Sequence, residues 1–161
     1  MAAMTGGDWV VRPAGPGDVE PLVGLLGELF ALERDYTVDP DRQRDGLRRL
    51  LARDRDARVV VAEAGGRVVG MCSVQLVIST AEGGPAAWVE DVVVAEGHRD
   101  LGLGTALLEA AAAWAAEQGA GRLQLLADGG NGPALGFYAA RGWTRTALIC
   151  LRRRVTAVTK T

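Results

Sequence analysis

The sequence of 161 residues contains one histidine, two cysteines and no apolar run near the ~20 residues that a membrane-spanning helix needs. Each scarcity removes a class of function. A single histidine, with Cys72 and Cys150 far apart in the chain, supplies no set of zinc ligands, so no metal site is expected. The two cysteines fall in β-rich runs and read as buried thiols of a reducing compartment. Eighteen basic residues against twenty acidic ones give a net charge of -2 without a basic stripe, which argues against nucleic acid as the main partner. The opening residues, MAAMTGGDW, have neither a basic n-region nor an apolar h-region, so no secretory signal is read and a cytoplasmic location is the expectation. No internal repeat is found, and the alanine-rich part of the third helix is ordinary helix propensity.

What is present suits a soluble globular protein, with 48% hydrophobic and 24% charged residues. The length fits one domain, 1–161, with an ordered core at about 8–151 and flexible ends at 1–7 and 152–161. Residues 9–12 read as a first strand stopped by Pro13, and Asp18 as the N-cap of a helix that repeats Leu22, Leu25, Leu26 and Leu29 to near Glu33. Asp39-Pro40 starts a second helix with Leu47, Leu50 and Leu51 turned inward. Residues 57–63 and 67–79 form a hairpin across Ala64-Gly65-Gly66, and residues 81–85 turn the chain into a central strand, giving three antiparallel strands in succession.

That central strand, at 89–94, runs through a polar turn into Gly102-Leu103-Gly104 and then a helix at 105–118, with Leu103, Leu107, Ala110 and Trp114 on one face and Gly119 as its stop. A glycine turn at a helix N-terminus directs backbone N–H groups and the positive end of the helix dipole at an anion. A nucleoside-triphosphate loop would need a lysine after Gly104, where Thr105-Ala106 stands. A dinucleotide fingerprint would need a small residue where Leu107 stands. Residues 122–127 form the next strand, a parallel neighbour of the central one because a helix connects them. Residues 128–132 are a loop, 133–141 a short helix, and 143–151 the closing strands.

The pattern Arg99-x-x-Gly102-x-Gly104 after Val92-Val93-Val94 resembles the pyrophosphate-binding signature of the GCN5-related N-acetyltransferase (GNAT) family. Asn131-Gly-Pro-Ala134-Leu-Gly-Phe137-Tyr138, followed by Arg141-Gly142-Trp143, resembles that family's later motif. The resemblance extends over about 9–151. It implies an α/β (α+β) GNAT-like domain with a mixed central sheet of six to seven strands, parallel and splayed between the fourth and fifth, and about four helices. It further implies acetyl-CoA as cofactor, held by Val92, Val93, Val94, Arg99, Asp100, Leu101, Gly102, Leu103, Gly104, Thr105, Asn131, Ala134 and Phe137. The pantetheine arm would pair with the backbone of Val92 to Val94, and the Val94 N–H would polarise the carbonyl. His98 would be a loop residue beside this site. Asp100-Leu101 departs from the family's usual glycine and basic or polar residue, setting a carboxylate near the pyrophosphate.

The implied activity is N-acetylation of a primary amine of a small molecule, such as a polyamine, an amino acid or an aminoglycoside, by direct attack in a ternary complex. An ammonium titrating near ~10.4 needs a base, and a departing thiolate needs an acid. Glu90 is favoured as the base, acting through water, because the Glu90-Asp91 pair resembles that of polyamine acetyltransferases. Strand alternation separates the two carboxylates unless a bulge intervenes, and both could instead pair with arginines. Tyr138 is the candidate acid, or an aromatic of the core. Arg34, Tyr36, Asp91 and Asp128 are candidate substrate contacts, with a solvated linker the competing reading for the first two. A dimer is common in the family and is expected. The rival functions are a non-catalytic acyl-CoA sensor and a nucleotide-binding interaction domain.

Overall fold

Two glycines in left-handed backbone, Gly65 at φ 54° and Gly66 at φ 73°, make the tight turn between the β-rich runs 57–64 and 67–79. The computed structural model describes residues 4–5, 8–33 and 35–155, and the chain divides into two compact units, Met1–Leu125 and Leu126–Thr161. The first contains one mixed sheet whose strands lie in chain order: β1 (Met4–Thr5), β2 (Trp9–Pro13), β3 (Ala57–Ala64), β4 (Arg67–Ser79), β5 (Gly84–Val94) and β6 (Leu123–Leu125). All neighbours are antiparallel except β5 and β6. The expected mixed sheet with one parallel pair is therefore present. The pair is fifth and sixth in order because Met4–Thr5, within the expected flexible start, pairs with Val10 and Val11. Of the expected flexible ends, residues 152–155 are in no helix or strand, and 1–3, 6–7 and 156–161 lie outside the described residues.

Helices cover both faces of this sheet. The helix α1 (Val19–Leu32) buries Val19, Leu22, Val23, Leu25 and Leu26 with Leu47 of α2 (Pro40–Leu51), against Val59, Val61, Met71 and Val93 of the strands. On the other face α3 (Leu103–Glu117) buries Leu103, Leu107, Ala110 and Trp114. Gly70 makes room for it: a Cβ there would stand 3.2 Å from Leu107 Cδ1 and 3.2 Å from the Val93 carbonyl. The second helix starts at Asp39-Pro40 as expected, and Asp39 caps it, its Oδ1 accepting from Arg42 N–H at 3.2 Å. Asp18 does not cap α1. Its carboxylate accepts from Arg12 at 2.8 and 2.9 Å and from the Gly15 N–H at 2.7 Å, because a guanidinium fork is a stronger partner than the helix end.

The second unit carries α4 (Gly132–Ala139), opened by Asn131, whose Oδ1 accepts from Ala134 N–H at 3.1 Å. The closing strands expected at 143–151 are not formed. A strand exists only through pairing, and among the described residues 126–155 there is no other strand for this segment to pair with. Leu148, Ile149 and Leu151 are accordingly exposed, and so is Cys150, which corrects the expectation of two buried thiols; Cys72 is fully buried.

Candidate active site

The central feature is a bulge in β5. Met71 pairs with Val93 and Ser73 with Glu90, so Asp91 and Val92 together face the single residue Cys72 of β4. Asp91 takes the extra turn with φ 54°, a left-handed conformation that aspartate tolerates better than most residues. The bulge cancels the alternation that would have separated the two carboxylates. Glu90 lies opposite Ser73, and the Ser73 hydroxyl lies 3.2 Å from both the Glu90 carbonyl and Asp91 Oδ2, so both carboxylates come to the face that α1 covers. Their environments differ. Glu90 is exposed and accepts a hydrogen bond from Trp88 Nε1 at 3.1 Å. Asp91 is half-buried and pushed up to about 6, first by burial and then by the negative charges of Glu90 and Glu33, with the Ser73 hydrogen bond pulling the other way. Burial also raises the Cys72 thiol, assisted by the charge on Asp91.

Beyond the bulge one edge of β5 carries no strand ladder among the described residues. The Ala95 N–H donates to the Val69 carbonyl at 2.8 Å, which makes Gly70–Val94 a non-hydrogen-bonded pair. The N–H and C=O of Val94 therefore point away from β4 toward the other edge. On that edge the parallel ladder with β6 ends at Val89–Leu125. The Val93 side chain is buried against α1 and its N–H and C=O face Met71 of β4, so Val92 and Val94, not Val93, present backbone to that edge.

A 3₁₀ turn at Glu96–His98 then leads to Arg99, whose Nε donates to the Val94 carbonyl at 3.1 Å and fixes the guanidinium at the end of β5. Asp100 at φ 62° and Gly102 at φ 83° turn the chain into α3, whose ladder begins with Ala106 N–H donating to the Gly102 carbonyl. The N–H groups of Leu103 and Gly104 precede that ladder and point out of the helix end, where the dipole favours an anion. Leu103 is 1% exposed and contributes backbone only, whereas Leu101 is exposed. Alongside, Glu28 and Leu32 of α1 and residues 95–99, His98 among them, line an open cavity of about 550 Å³.

The remaining expected residues have these positions. Tyr36 is exposed and stacks on Phe30, centroids 5.2 Å apart, in the connection between α1 and α2; Arg34 lies outside the described residues. In the second unit Asp128 Oδ1 accepts from Gly130 N–H at 2.8 Å and shapes the loop before Asn131. The Tyr138 ring packs edge-on against Phe137 at 5.3 Å and Trp143 at 5.8 Å, while the Arg141 guanidinium lies 3.7 Å over Phe137. Ser73 and Glu33 are not among the site residues that the sequence indicates. The available signal for Ser73 was one hydroxyl inside the run Val-Gly-Met-Cys-Ser-Val; Glu33 carried none.

The pattern of the Acetyltransferase (GNAT) family matches residues 26–143. Streptothricin acetyltransferase of Streptomyces lavendulae is 32% identical over 171 residues, covering 89% of this chain and 85% of that protein. Among solved structures, an integron cassette protein from the mobile metagenome of Cole Harbour Salt Marsh superposes with TM-score 0.79 at 25% identity, over 91% of each chain. Glucosamine-6-phosphate N-acetyltransferase of Arabidopsis thaliana superposes with TM-score 0.73 at 20% identity, over 90% of this chain and 97% of that one, and shares the fold.

Proposed function

The chain belongs to the GNAT acetyltransferase family, and from that premise we propose that it transfers an acetyl group from acetyl-CoA to a primary amine of a small cationic acceptor, by direct attack in a ternary complex. The observation that carries this reading is the β5 bulge, which sets a half-buried carboxylate with a raised pKa three residues before an outward-pointing backbone N–H. The residues present suit the coenzyme. The strand edge at Val92 and Val94 is matched to an amide-bearing arm, and Arg99 with the N–H groups from Leu101 to Thr105 to a pyrophosphate. Asn131, Ala134 and Phe137 are assigned to the coenzyme by their motif.

Acetyl-CoA, when bound, supplies the activated acetyl thioester. The chain's own groups do the rest. Asp91, near pH 6, is ionised at neutral pH and takes the proton from the acceptor's ammonium, directly or through water. Glu90 stays beside it as the second anion that attracts the cation, so the base assignment moves one residue along the strand from the sequence expectation. The Val94 N–H donates to the carbonyl oxygen as negative charge grows there. Tyr138 is assigned as proton donor to the departing thiolate on its motif alone, a phenol, ordinarily near ~10, being a competent donor.

Acidic Glu28, Glu33, Glu90, Asp91 and Glu96 around the bulge and the neighbouring cavity favour a cationic acceptor. The relative named for streptothricin makes that antibiotic the first acceptor to test, with spermidine, lysine and an aminoglycoside beside it. The experiment is a thiol-release assay with acetyl-CoA and each amine, paired with thermal melts. A coenzyme at ~100 times its Kd stabilises by about 2.7 kcal/mol. Turnover with a cationic amine is expected. A melt shift with acetyl-CoA and no turnover on any amine would instead describe an acyl-CoA sensor.

A further inference from the structure

We propose that Ser73 is a positioning residue for Asp91: a buried hydroxyl that holds the carboxylate in the bulge and stays hydrogen-bonded whether or not the carboxylate carries a proton. Its functional meaning rests on the reading of Asp91 as the base. Ser73 is 1% exposed, in a strand whose neighbours Met71, Cys72 and Val74 are fully buried and apolar. A hydroxyl so placed is costly unless it is bonded. Its Oγ stands 3.2 Å from the Glu90 carbonyl and 3.2 Å from Asp91 Oδ2, equal distances and longer than the ~2.7–2.8 Å of a strong O–H···O bond. The hydroxyl is centred between two acceptors rather than committed to one.

A serine hydroxyl has one hydrogen and two lone pairs. With Asp91 ionised, Oγ–H donates to Oδ2. With Asp91 protonated, the carboxyl O–H donates to Oγ, and Oγ–H rotates to donate to the Glu90 carbonyl. Oγ and the Asp91 carboxyl group keep each other as partners in both states, and no proton passes through the serine. The other groups facing Asp91 cannot do this. Glu90 beside it on β5 and Glu33 at the end of α1 repel its charge, and the Cys72 thiol across the bulge is held neutral by burial. Ser73 is thus the facing group that favours the ionised form, and it keeps that form reachable in a setting that otherwise opposes it. The same bond ties down a residue in left-handed backbone, so that the carboxylate points at the α1 face.

The test compares wild type with Ser73→Ala and Ser73→Thr. It reads the Asp91 carboxyl pKa from its 13C chemical shift and the acidic limb of kcat/KM for acetyl-CoA with a cationic amine. Ser73→Ala is expected to raise the Asp91 pKa above about 6, move the acidic limb upward with it, and lower kcat about tenfold, as for a lost hydrogen bond to a charged group. Ser73→Thr keeps the hydroxyl and restores both. An Asp91 pKa unchanged in Ser73→Ala overturns the proposal, whatever happens to stability. A raised Asp91 pKa with an unmoved acidic limb supports the coupling and overturns instead the assignment of Asp91 as base. If Ser73→Ala does not fold, Ser73→Cys, with a thiol that donates weakly, gives the same reading of the pKa.

Discussion

Asp91 combines two features that a residue chosen for stability alone would not have: left-handed backbone without being glycine, and a half-buried carboxylate beside other carboxylates. A carboxylate whose folded pKa lies at about 6, above its unfolded ~3.9, binds more protons folded than unfolded. Its effect on stability is therefore neutral below ~3.9, grows unfavourable as pH rises to about 6, and stays constant above, on the order of 3 kcal/mol. Asp91→Asn is predicted to melt several degrees higher than wild type at pH 8 and at about the same temperature at pH 4, while losing about 10² or more in turnover; calorimetry at the two pH values and the thiol-release assay check both halves. Asp100 is the second strained carboxylate, at φ 62° beside the helix end proposed to bind pyrophosphate. Asp100→Gly removes strain and a repulsive charge together, so it should lower the Kd for acetyl-CoA several-fold and raise the melting temperature slightly, read by calorimetric titration and melts.

The sheet and helices follow from patterns that local chemistry fixes. Leucines at helical spacing produced α1, Asp39-Pro40 the start of α2, and the Gly65-Gly66 turn the hairpin of β3 and β4, all where the sequence indicates. The site was legible only in part. The run from Val92 to Gly104 can be read as strand, turn and helix start because glycine and β-branched residues have strong local preferences. The bulge at Asp91 cannot, because it depends on which residues of β4 stand opposite, a register set by contacts distant in sequence. Hence the residues alone favour Glu90, whereas the structure half-buries Asp91 and leaves Glu90 exposed. Asp18 and the 143–151 segment were misread for a related reason: a potential cap and a β-rich run take the partner that folding supplies, Arg12 in one case and no ladder in the other. At this scale the start of α3 is the sharpest test. Gly102 at φ 83° leads the helix, and a Cβ there meets no atom within 4 Å, so Gly102→Ala isolates backbone strain from crowding. It should cost about 1 to 2 kcal/mol in stability and raise the KM for acetyl-CoA more than it changes kcat, measured by denaturant unfolding and initial rates.

Across the whole molecule the charges are nearly balanced, at -2 overall, yet they are not evenly employed. Arginines answer the carboxylates that brace the fold, as Arg12 does for Asp18 and Glu63, and Arg12 holds the Asp18 carboxyl below the ordinary carboxylate range. That contribution is present at neutral pH and fades as pH falls below ~3.9, so acid weakens the brace while it relieves Asp91. The carboxylates at the bulge repel one another instead, an arrangement that disfavours the folded state at neutral pH and suits a cation arriving from solvent. The central claim is that this half-buried carboxylate takes the proton from the acceptor amine. Its most direct test is the pH dependence of kcat/KM for wild type and Asp91→Asn, with acetyl-CoA and the best cationic amine. The account predicts an acidic limb near pH 6 in wild type that disappears in the variant together with most of the activity. A limb that persists unchanged in Asp91→Asn would contradict it.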